Sequence, residues 1–206
     1  MTDPTADGRA EGNEAGFAIF GGSFDPVHSG HVAVATAVLA SGRFRTILFV
    51  PARKSPLKDG AHASGAHREA MLRLAIQDNP RFEIDTCELE RIGPSFTVDT
   101  VKLLREKRRP RGSAAPRPGL IIGSDLIPEF GLWKNANELE SCVDLIVVAR
   151  PGAEPGEFPR THRVIHSPGV DISSSAVRER VRHGLPVSGL VPEAVAQYIE
   201  QHRLYR

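Results

Sequence analysis

Short runs of apolar residues alternate with longer segments of helical character along most of this 206-residue chain. The short runs have the length and β-branched content of buried parallel strands, and they are Phe17–Phe20, Thr46–Val50, Phe82–Glu88, Leu120–Ile122, Leu145–Ala149 and Arg163–His166. The intervening and following segments predict helices at His31–Ser41, Ala66–Gln77, Thr97–Lys107, Glu138–Cys142, Ser174–His183 and Pro192–His202. This alternation predicts an α/β protein, with a parallel sheet covered by helices on both faces.

Composition narrows the class of protein. The chain has 26 Lys and Arg against 25 Asp and Glu, so it lacks the basic excess of a general nucleic-acid binder. No run approaches the ~18 apolar residues of a membrane span. Residues 1–16 are polar and have no signal-peptide core, which predicts a disordered tail before a single domain over residues 17–206. We therefore expect a cytoplasmic protein that has no nucleic-acid or membrane partner.

Two further features are interpreted as structural. Cys87 and Cys142 are far apart and lack the spacing of metal ligands, so we expect reduced, partly buried thiols and no protein-bound metal. Residues 105–118 are rich in Arg and Pro without any periodicity. They predict a solvated helix end and a loop, and contact with a nucleic acid or an acidic partner is the alternative.

The most informative segment is Phe20–His31, a glycine-containing loop between the first strand and the first helix. Gly21 and Gly22 lack side chains, so their backbone can lie close to a ligand. The start of the following helix offers unpaired N–H groups and a partial positive charge, which suit phosphate. His28 and His31 project toward the same place, and each can donate to a phosphoryl oxygen. The segment predicts a polyphosphate site, whereas the alternative is a glycine turn before a helix with two solvent-facing histidines.

The motif Gly-Gly-Ser-Phe-Asp-Pro-x-His-x-Gly-His in this segment is neither a P-loop nor a dinucleotide fingerprint. It resembles the signature of the nucleotidyltransferase superfamily, whose His-x-Gly-His element is similar to that of class I aminoacyl-tRNA synthetases. From Phe17 onward the chain is most similar to the bacterial nicotinate-nucleotide adenylyltransferase family. The resemblance implies a Rossmann-like, doubly wound parallel sheet with C-terminal helices. It also implies catalytic roles for His28 and His31, and ATP contacts from Gly21, Gly22, Ser23 and Phe24.

Two segments are predicted to supply cations and donors for the phosphates. Lys58 matches the last lysine of the family's Pro-Pro-His-Lys, with Leu57 in place of the histidine, and Lys54 is close enough to compete for its role. The second segment, Asp171–Arg178, resembles the family's Ile-Ser-Ser-Thr-x-Ile-Arg. Its helix start and guanidinium suit the distal phosphates of ATP, which assigns ATP binding to Ser173 and Ser174 and a catalytic role to Arg178.

Two other segments are predicted to hold the remaining parts of the substrates. Ser95 and Thr97 lie where a loop enters a helix, and they either cap that helix or receive a carboxylate, which the resemblance implies is that of the nicotinate ring. Phe96 replaces the family's tyrosine between them. Asp125 follows a strand ending and can accept from the ribose hydroxyls of ATP. Trp133, the only tryptophan, is expected to stack on the pyridine ring.

The resemblance implies that ATP and nicotinate mononucleotide are the substrates and that deamido-NAD and pyrophosphate are the products. Mg²⁺ is expected on the ATP phosphates with few protein ligands, because the sequence has no carboxylate cluster. The alternatives are a phosphopantetheine or nicotinamide-mononucleotide adenylyltransferase and, in a different class, a non-catalytic nucleotide-binding regulator. His28, the Ser-Phe-Thr loop and Trp133 argue against the phosphopantetheine enzyme. The sequence leaves the oligomeric state open, a homo-oligomer included.

Overall fold

The computed structural model describes residues 16–53, 61–149, 162–166 and 172–206. Residues 1–15 of the predicted N-terminal tail and both candidate lysines, Lys54 and Lys58, lie outside these ranges, whereas Gly16 is buried. The strands are β1 (Phe17–Gly22), β2 (Thr46–Pro51), β3 (Phe82–Ile84), β4 (Gly119–Gly123), β5 (Asp144–Ala149) and β6 (His162–His166). They form one six-stranded sheet in the order β3-β2-β1-β4-β5-β6, and every pairing is parallel. The prediction of a doubly wound parallel sheet is confirmed.

The helices of the described residues also follow the prediction closely. They are α1 (Ser29–Ala40), α2 (Gly65–Ile76), α3 (Cys87–Glu90), α4 (Thr97–Lys107), α5 (Ala136–Cys142), α6 (Ser174–Arg182) and α7 (Glu193–Gln201). One boundary was wrong, because the predicted strand Phe82–Glu88 ends at Ile84 and α3 begins three residues later. The carboxylate of Asp85 accepts a hydrogen bond from the N–H of Cys87 at 3.0 Å, and this local turn diverts the chain from the sheet.

The sheet buries apolar side chains on both of its faces. Along β2, Ile47 and Phe49 pack with α1, α2, α6 and α7, whereas Leu48 and Val50 pack with α4 and α5. This alternation follows from the period of two along a strand, and it explains why the strands read as continuous apolar runs. The order of the strands reverses between β1 and β4. A ligand site is therefore expected beyond the carboxyl ends of these two strands.

The features interpreted as structural agree with the prediction. Cys87 and Cys142 are free thiols of intermediate exposure. Residues 108–118 form a loop after α4, in which Arg105 Nε donates to the carbonyl of Pro116 at 2.8 Å. Arg117 donates to main-chain carbonyls at the end of α5, including that of Ser141 at 2.6 Å. Among the described helices, none has both the length and the apolar character that crossing a bilayer requires.

Candidate active site

The loop that follows β1 is held in place through its own main-chain carbonyls. Three of them accept hydrogen bonds from side chains on α2 and α6. These bonds run from Arg68 Nη1 to Ser23 at 2.7 Å, from Arg178 Nη1 to Asp25 at 2.7 Å and from Ser174 Oγ to Pro26 at 2.9 Å. Since the donors come from helices far along the chain, the loop has a defined conformation only in the folded protein.

The two histidines lie side by side at the start of α1. His28 is the residue before the helix, with an extended backbone, and His31 is in the first turn. Their rings stack with centroids 3.6 Å apart, and the main-chain N–H of His28 donates to Nδ1 of His31 at 3.2 Å. His28 is only 6% exposed and His31 is half-buried. The alternative of two solvent-facing histidines is therefore wrong, because His28 is buried and the half-buried His31 stacks on it in the same corner of the loop.

Phe24 has a structural part in this loop. It is 1% exposed, has a left-handed φ of 46°, and its ring centroid lies 5.0 Å from that of His31. A Cβ added to Gly22 would lie 3.1 Å from the Phe24 ring, whereas one added to Gly21 would meet nothing within 4 Å. The Phe24 ring therefore belongs to the core. Only the main chain of Phe24 can make the predicted contact with ATP. The exposed face of Gly21 leaves open space for a ligand.

The start of α6 lies directly against the same loop. The Ser173 hydroxyl caps the helix by accepting from the N–H of Ala176 at 3.1 Å, and the Ser174 hydroxyl donates to the loop. Arg178 connects the loop to the start of α6. Its Nη1 donates a hydrogen bond to the loop carbonyl of Asp25, and its Nη2 donates one to Ser175 Oγ at 3.0 Å. Both serine hydroxyls thus have intramolecular partners, which the sequence did not reveal. Since the N–H of Ala176 is used by the cap, the N–H groups of Ser174 and Ser175 are the ones that this helix start offers to an anion.

The start of α4 has an unusual arrangement of polar groups. Its N-cap residue is Phe96, without any side-chain cap, so the alternative in which Ser95 or Thr97 caps the helix is wrong. Ser95 is 7% exposed, and within the described part of the chain its Oγ has no hydrogen-bond partner. The buried Nε1 of Trp133 likewise has no hydrogen-bond partner among the described residues. Buried polar groups are nearly always satisfied, so these two atoms are candidates for contact with a ligand.

Trp133 and the start of α4 belong to the same part of the molecule. Trp133 and Phe96 both pack against the apolar cluster beneath α4 and α5. Lys134 connects the two segments, because its Nζ lies 4.6 Å from the Phe96 ring centroid and 2.9 Å from Asp99 Oδ2. Sequence reasoning missed Lys134, and its position directly after Trp133 was the available signal.

A buried polar network positions the loop before α4. Thr100 Oγ1 donates to the buried carboxylate of Glu88 at 2.7 Å, and Arg91 Nη1 donates to the same threonine hydroxyl at 3.3 Å. Arg53, just after β2, donates to the carbonyl of Arg91 at 3.0 Å. These residues also escaped the sequence-based assignment, although Glu88, Arg91 and Thr100 lie in the same short stretch of the sequence as Ser95. Satisfying a buried carboxylate in this way holds the loop against the helix.

Asp125 lies at the carboxyl end of β4, as the sequence predicts. It is exposed and belongs to a single turn of 3₁₀ helix over Ser124–Leu126. A Cβ on Gly123 would collide with the Asp125 carboxylate, so the glycine is needed for this side-chain position. The turn brings a carboxylate to the same edge of the sheet as the histidine loop.

Comparison with known proteins agrees with this geometry. The model of the cytidylyltransferase-like family matches residues 19–180. A Roseiflexus sp. strain RS-1 protein, named a probable nicotinate-nucleotide adenylyltransferase, is 38% identical over 94% of this chain and its own whole length. A similarly named protein from Tropheryma whipplei strain Twist is 40% identical over 90% of this chain and 97% of its own length.

Among solved structures, the nicotinic acid mononucleotide adenylyltransferase of Plasmodium falciparum in complex with NaAD has the same fold. Its TM-score is 0.75 at 23% identity, with 93% of this chain and 97% of that chain covered. The chain thus belongs to the cytidylyltransferase-like family, a class of nucleotidyltransferases. Within that class it is a member of the family of the nicotinate-nucleotide adenylyltransferases. The family resemblance stated from the sequence is confirmed.

Proposed function

We propose that this chain transfers the adenylyl group of ATP to the 5′-phosphate of nicotinate mononucleotide in the biosynthesis of NAD. A phosphate oxygen of the mononucleotide attacks the α-phosphorus of ATP. The bond from that phosphorus to the bridging oxygen breaks, and pyrophosphate leaves with the electron pair. The attacking phosphate is already anionic, so no protein nucleophile is needed and the protein contributes alignment and charge stabilisation.

The observation that carries the choice of substrate is the pair of buried donors beside α4. Ser95 Oγ and Trp133 Nε1 have no partner among the described residues, and the first N–H groups of α4 are available in the same region. Lys134 also lies there, but its charge is paired with the Asp99 carboxylate at 2.9 Å, so the choice rests on the donors. A carboxylate, which offers only acceptors, satisfies such a set better than an amide, whose nitrogen would bring further donors. We infer that the nicotinate carboxylate is received by Ser95 Oγ and the first N–H groups of α4, with Thr97 assisting. The Trp133 ring is stacked on the pyridine, and because its Nε1–H then points parallel to that ring, this donor serves a different acceptor of the substrate.

The phosphates of ATP are assigned to the histidine loop. His28 and His31 would donate to phosphoryl oxygens beside the open face of Gly21, and Arg178 would stabilise charge on the departing pyrophosphate. A second cation, Lys58, is assigned to the same task on the resemblance alone. Asp125 would accept hydrogen bonds from the ribose hydroxyls of ATP.

Nucleotidyltransferases that act on ATP generally use a divalent metal, and we propose that this metal is Mg²⁺ arriving with the triphosphate. In the described ranges, no group of three or more His, Cys, Asp or Glu side chains is arranged to hold an ion. The metal would then bind as a component of the substrate and neutralise charge on the phosphates. The two imidazoles and Arg178 would contact the same phosphates.

The deciding experiment measures pyrophosphate release with Mg²⁺, ATP and one of three acceptors: nicotinate mononucleotide, nicotinamide mononucleotide or phosphopantetheine. We expect the nicotinate substrate to give the highest kcat/KM and deamido-NAD to be identified as the product. Higher kcat/KM with either other acceptor would overturn the substrate assignment. No release with any acceptor would favour the non-catalytic regulator.

A further inference from the structure

We propose that Tyr205 is a positioning residue for adenylyl transfer, acting through Asp25 on Arg178 and on the loop that follows β1. The inference rests on the proposed function in one respect, namely that the phosphates of ATP bind at this loop. Tyr205 follows α7, and it lies 180 positions along the chain from Asp25.

The geometry centres on the carboxylate of Asp25, which is 2% exposed. Its Oδ1 accepts from the Tyr205 hydroxyl at 2.7 Å and from the N–H of Ala63 at 3.1 Å, and its Oδ2 accepts from the N–H of His62 at 2.6 Å. The carbonyl of the same residue accepts from Arg178 Nη1 at 2.7 Å. Asp25 therefore connects the end of the chain directly to the guanidinium that is assigned to the pyrophosphate.

The charges around this contact make Tyr205 a permanent donor. Burial, together with the hydrogen bond to Asp25, raises the pKa of the Tyr205 hydroxyl far above its ordinary value, so the proton stays on the phenol oxygen. Burial also lowers the pKa of Arg68, although Asp25 and Tyr205 oppose that shift. Arg68 in turn holds the carbonyl of Ser23. The phenol thus belongs to a buried group of charged residues with Asp25 and Arg68. Asp25 lies in the loop that follows β1, and Arg68 is hydrogen-bonded to that loop.

The backbone after α7 indicates that the contact is specifically maintained. Arg203 and Tyr205 have left-handed φ angles of 51° and 66°, a region that residues other than glycine rarely adopt. In the turn that follows α7, the N–H of Leu204 donates a hydrogen bond to the carbonyl of Ile199 at 3.0 Å. Such a conformation persists where the surrounding structure over-determines it, and here it brings the phenol oxygen to Asp25.

Loss of the hydroxyl leaves Asp25 with two main-chain donors and an unfilled acceptor position in a buried site. The carboxylate keeps its bonds to the N–H groups of His62 and Ala63 but loses the contact on the Tyr205 side, and we expect this imbalance to shift the carbonyl that orients Arg178. A misplacement of about 1 Å at a catalytic group can lower the rate roughly 100-fold, so for a smaller shift we expect Tyr205→Phe to lower kcat/KM for ATP about tenfold. The KM for the mononucleotide should stay within about twofold, because that substrate is assigned to the α4 side of the site.

The chain offers a matched control in its other tyrosine. The hydroxyl of Tyr198 makes one hydrogen bond, to Nδ1 of His67 at 3.0 Å between α7 and α2, and neither residue is assigned to the site. Tyr198→Phe therefore removes a comparable tyrosine hydrogen bond from α7 that does not involve the loop after β1. The test compares Tm, kcat and the KM of each substrate for wild type, Tyr205→Phe and Tyr198→Phe. We expect similar small losses of Tm in both variants and a loss of ATP-dependent kcat/KM in Tyr205→Phe alone.

Wild-type kinetics in Tyr205→Phe, equal kinetic losses in the two variants, or a loss confined to the KM of the mononucleotide would each overturn the inference. Calorimetric titration with a non-hydrolysable ATP analogue separates this inference from the proposed function. If wild type forms no deamido-NAD, the proposed function fails, yet weaker analogue binding in Tyr205→Phe alone still supports the role of Tyr205. If wild type is inactive and all three proteins bind the analogue equally, the inference fails as well.

Discussion

The main-chain N–H of His28 donates a hydrogen bond to Nδ1 of His31 across 3.2 Å. With Nδ1 as the acceptor, the neutral His31 ring carries its proton on Nε2, which is the donor atom of this imidazole. The His28 ring stacks on it with centroids 3.6 Å apart. The orientation of this imidazole pair is therefore determined by the main chain before any nucleotide binds, which is the preorganisation that charge stabilisation requires.

The first prediction concerns these two histidines. His31→Ala and His28→Ala should each lower kcat roughly 100-fold, about 3 kcal/mol of transition-state stabilisation, with a much smaller effect on ATP affinity. Steady-state kinetics with varied ATP measure both effects. His183→Ala is the matched control, because that imidazole is exposed directly after the end of α6 and contacts Glu179. Near-wild-type kcat in both loop variants would refute the mechanism.

Arg178→Ala should raise the KM for ATP and slow the reaction, while the KM for the mononucleotide changes little. The reason is the position of its guanidinium, which lies between the loop carbonyl of Asp25 and the start of α6. Arg182→Ala provides a control on the same helix, since Arg182 is exposed and pairs with Glu179. A defect limited to mononucleotide binding would contradict the assignment of Arg178 to the phosphates of ATP.

The nicotinate substrate should be preferred over the amide by roughly 30- to 150-fold in kcat/KM, equivalent to ~2–3 kcal/mol from charge-assisted hydrogen bonds. Ser95→Ala should reduce this preference without lowering Tm, because no described residue of the protein bonds the Ser95 hydroxyl. Thr97→Ala should also reduce it, with the main-chain N–H groups of α4 retaining a part. The preference is the ratio of kcat/KM for the two mononucleotides, measured on one preparation of each protein. Equal kcat/KM for the two mononucleotides in wild type would exclude this carboxylate site.

The pH dependence of stability should include a contribution from Asp85. Burial on its own would raise the pKa of its carboxyl, but hydrogen bonds from Lys107 and from the Cys87 N–H outweigh burial and leave the pKa below its usual value. The ionised form therefore stabilises the fold above the unfolded-state pKa of about 3.9, and this is lost as the pH falls through the lowered folded-state value.

Asp85→Asn should accordingly destabilise the protein at pH 7 by about 1–2 kcal/mol, with the difference from wild type shrinking toward pH 3. Urea unfolding at pH 7, 5 and 3 measures this difference. Asp78→Asn is an exposed control for the loss of one carboxylate. A free-energy difference that is the same at all three pH values would show that Asp85 stabilises the fold by other means.

The order of strands and helices was readable from the chain because each element carries its own periodicity. The apolar run at Leu145–Ala149 and the alanine-rich helix after His31 need no distant partner to be recognised. The edge at which the site lies was also predictable, since parallel strands bring their carboxyl ends together. For this reason the sequence alone assigns the histidine loop after β1 and Asp125 after β4 to one edge of the sheet, whereas the start of α6 was assigned to ATP from its serines and Arg178.

What the sequence could not supply is the partner of each polar group. The burial of the Phe24 ring, the absence of a side-chain cap on α4 and the intramolecular bonds of Ser173 and Ser174 depend on how loops meet after the sheet has formed. The bond between Asp25 and Tyr205 is the clearest case. A hydrogen bond acts over about 3 Å and leaves no periodic trace in a sequence, so only the tertiary structure decided that these two residues meet.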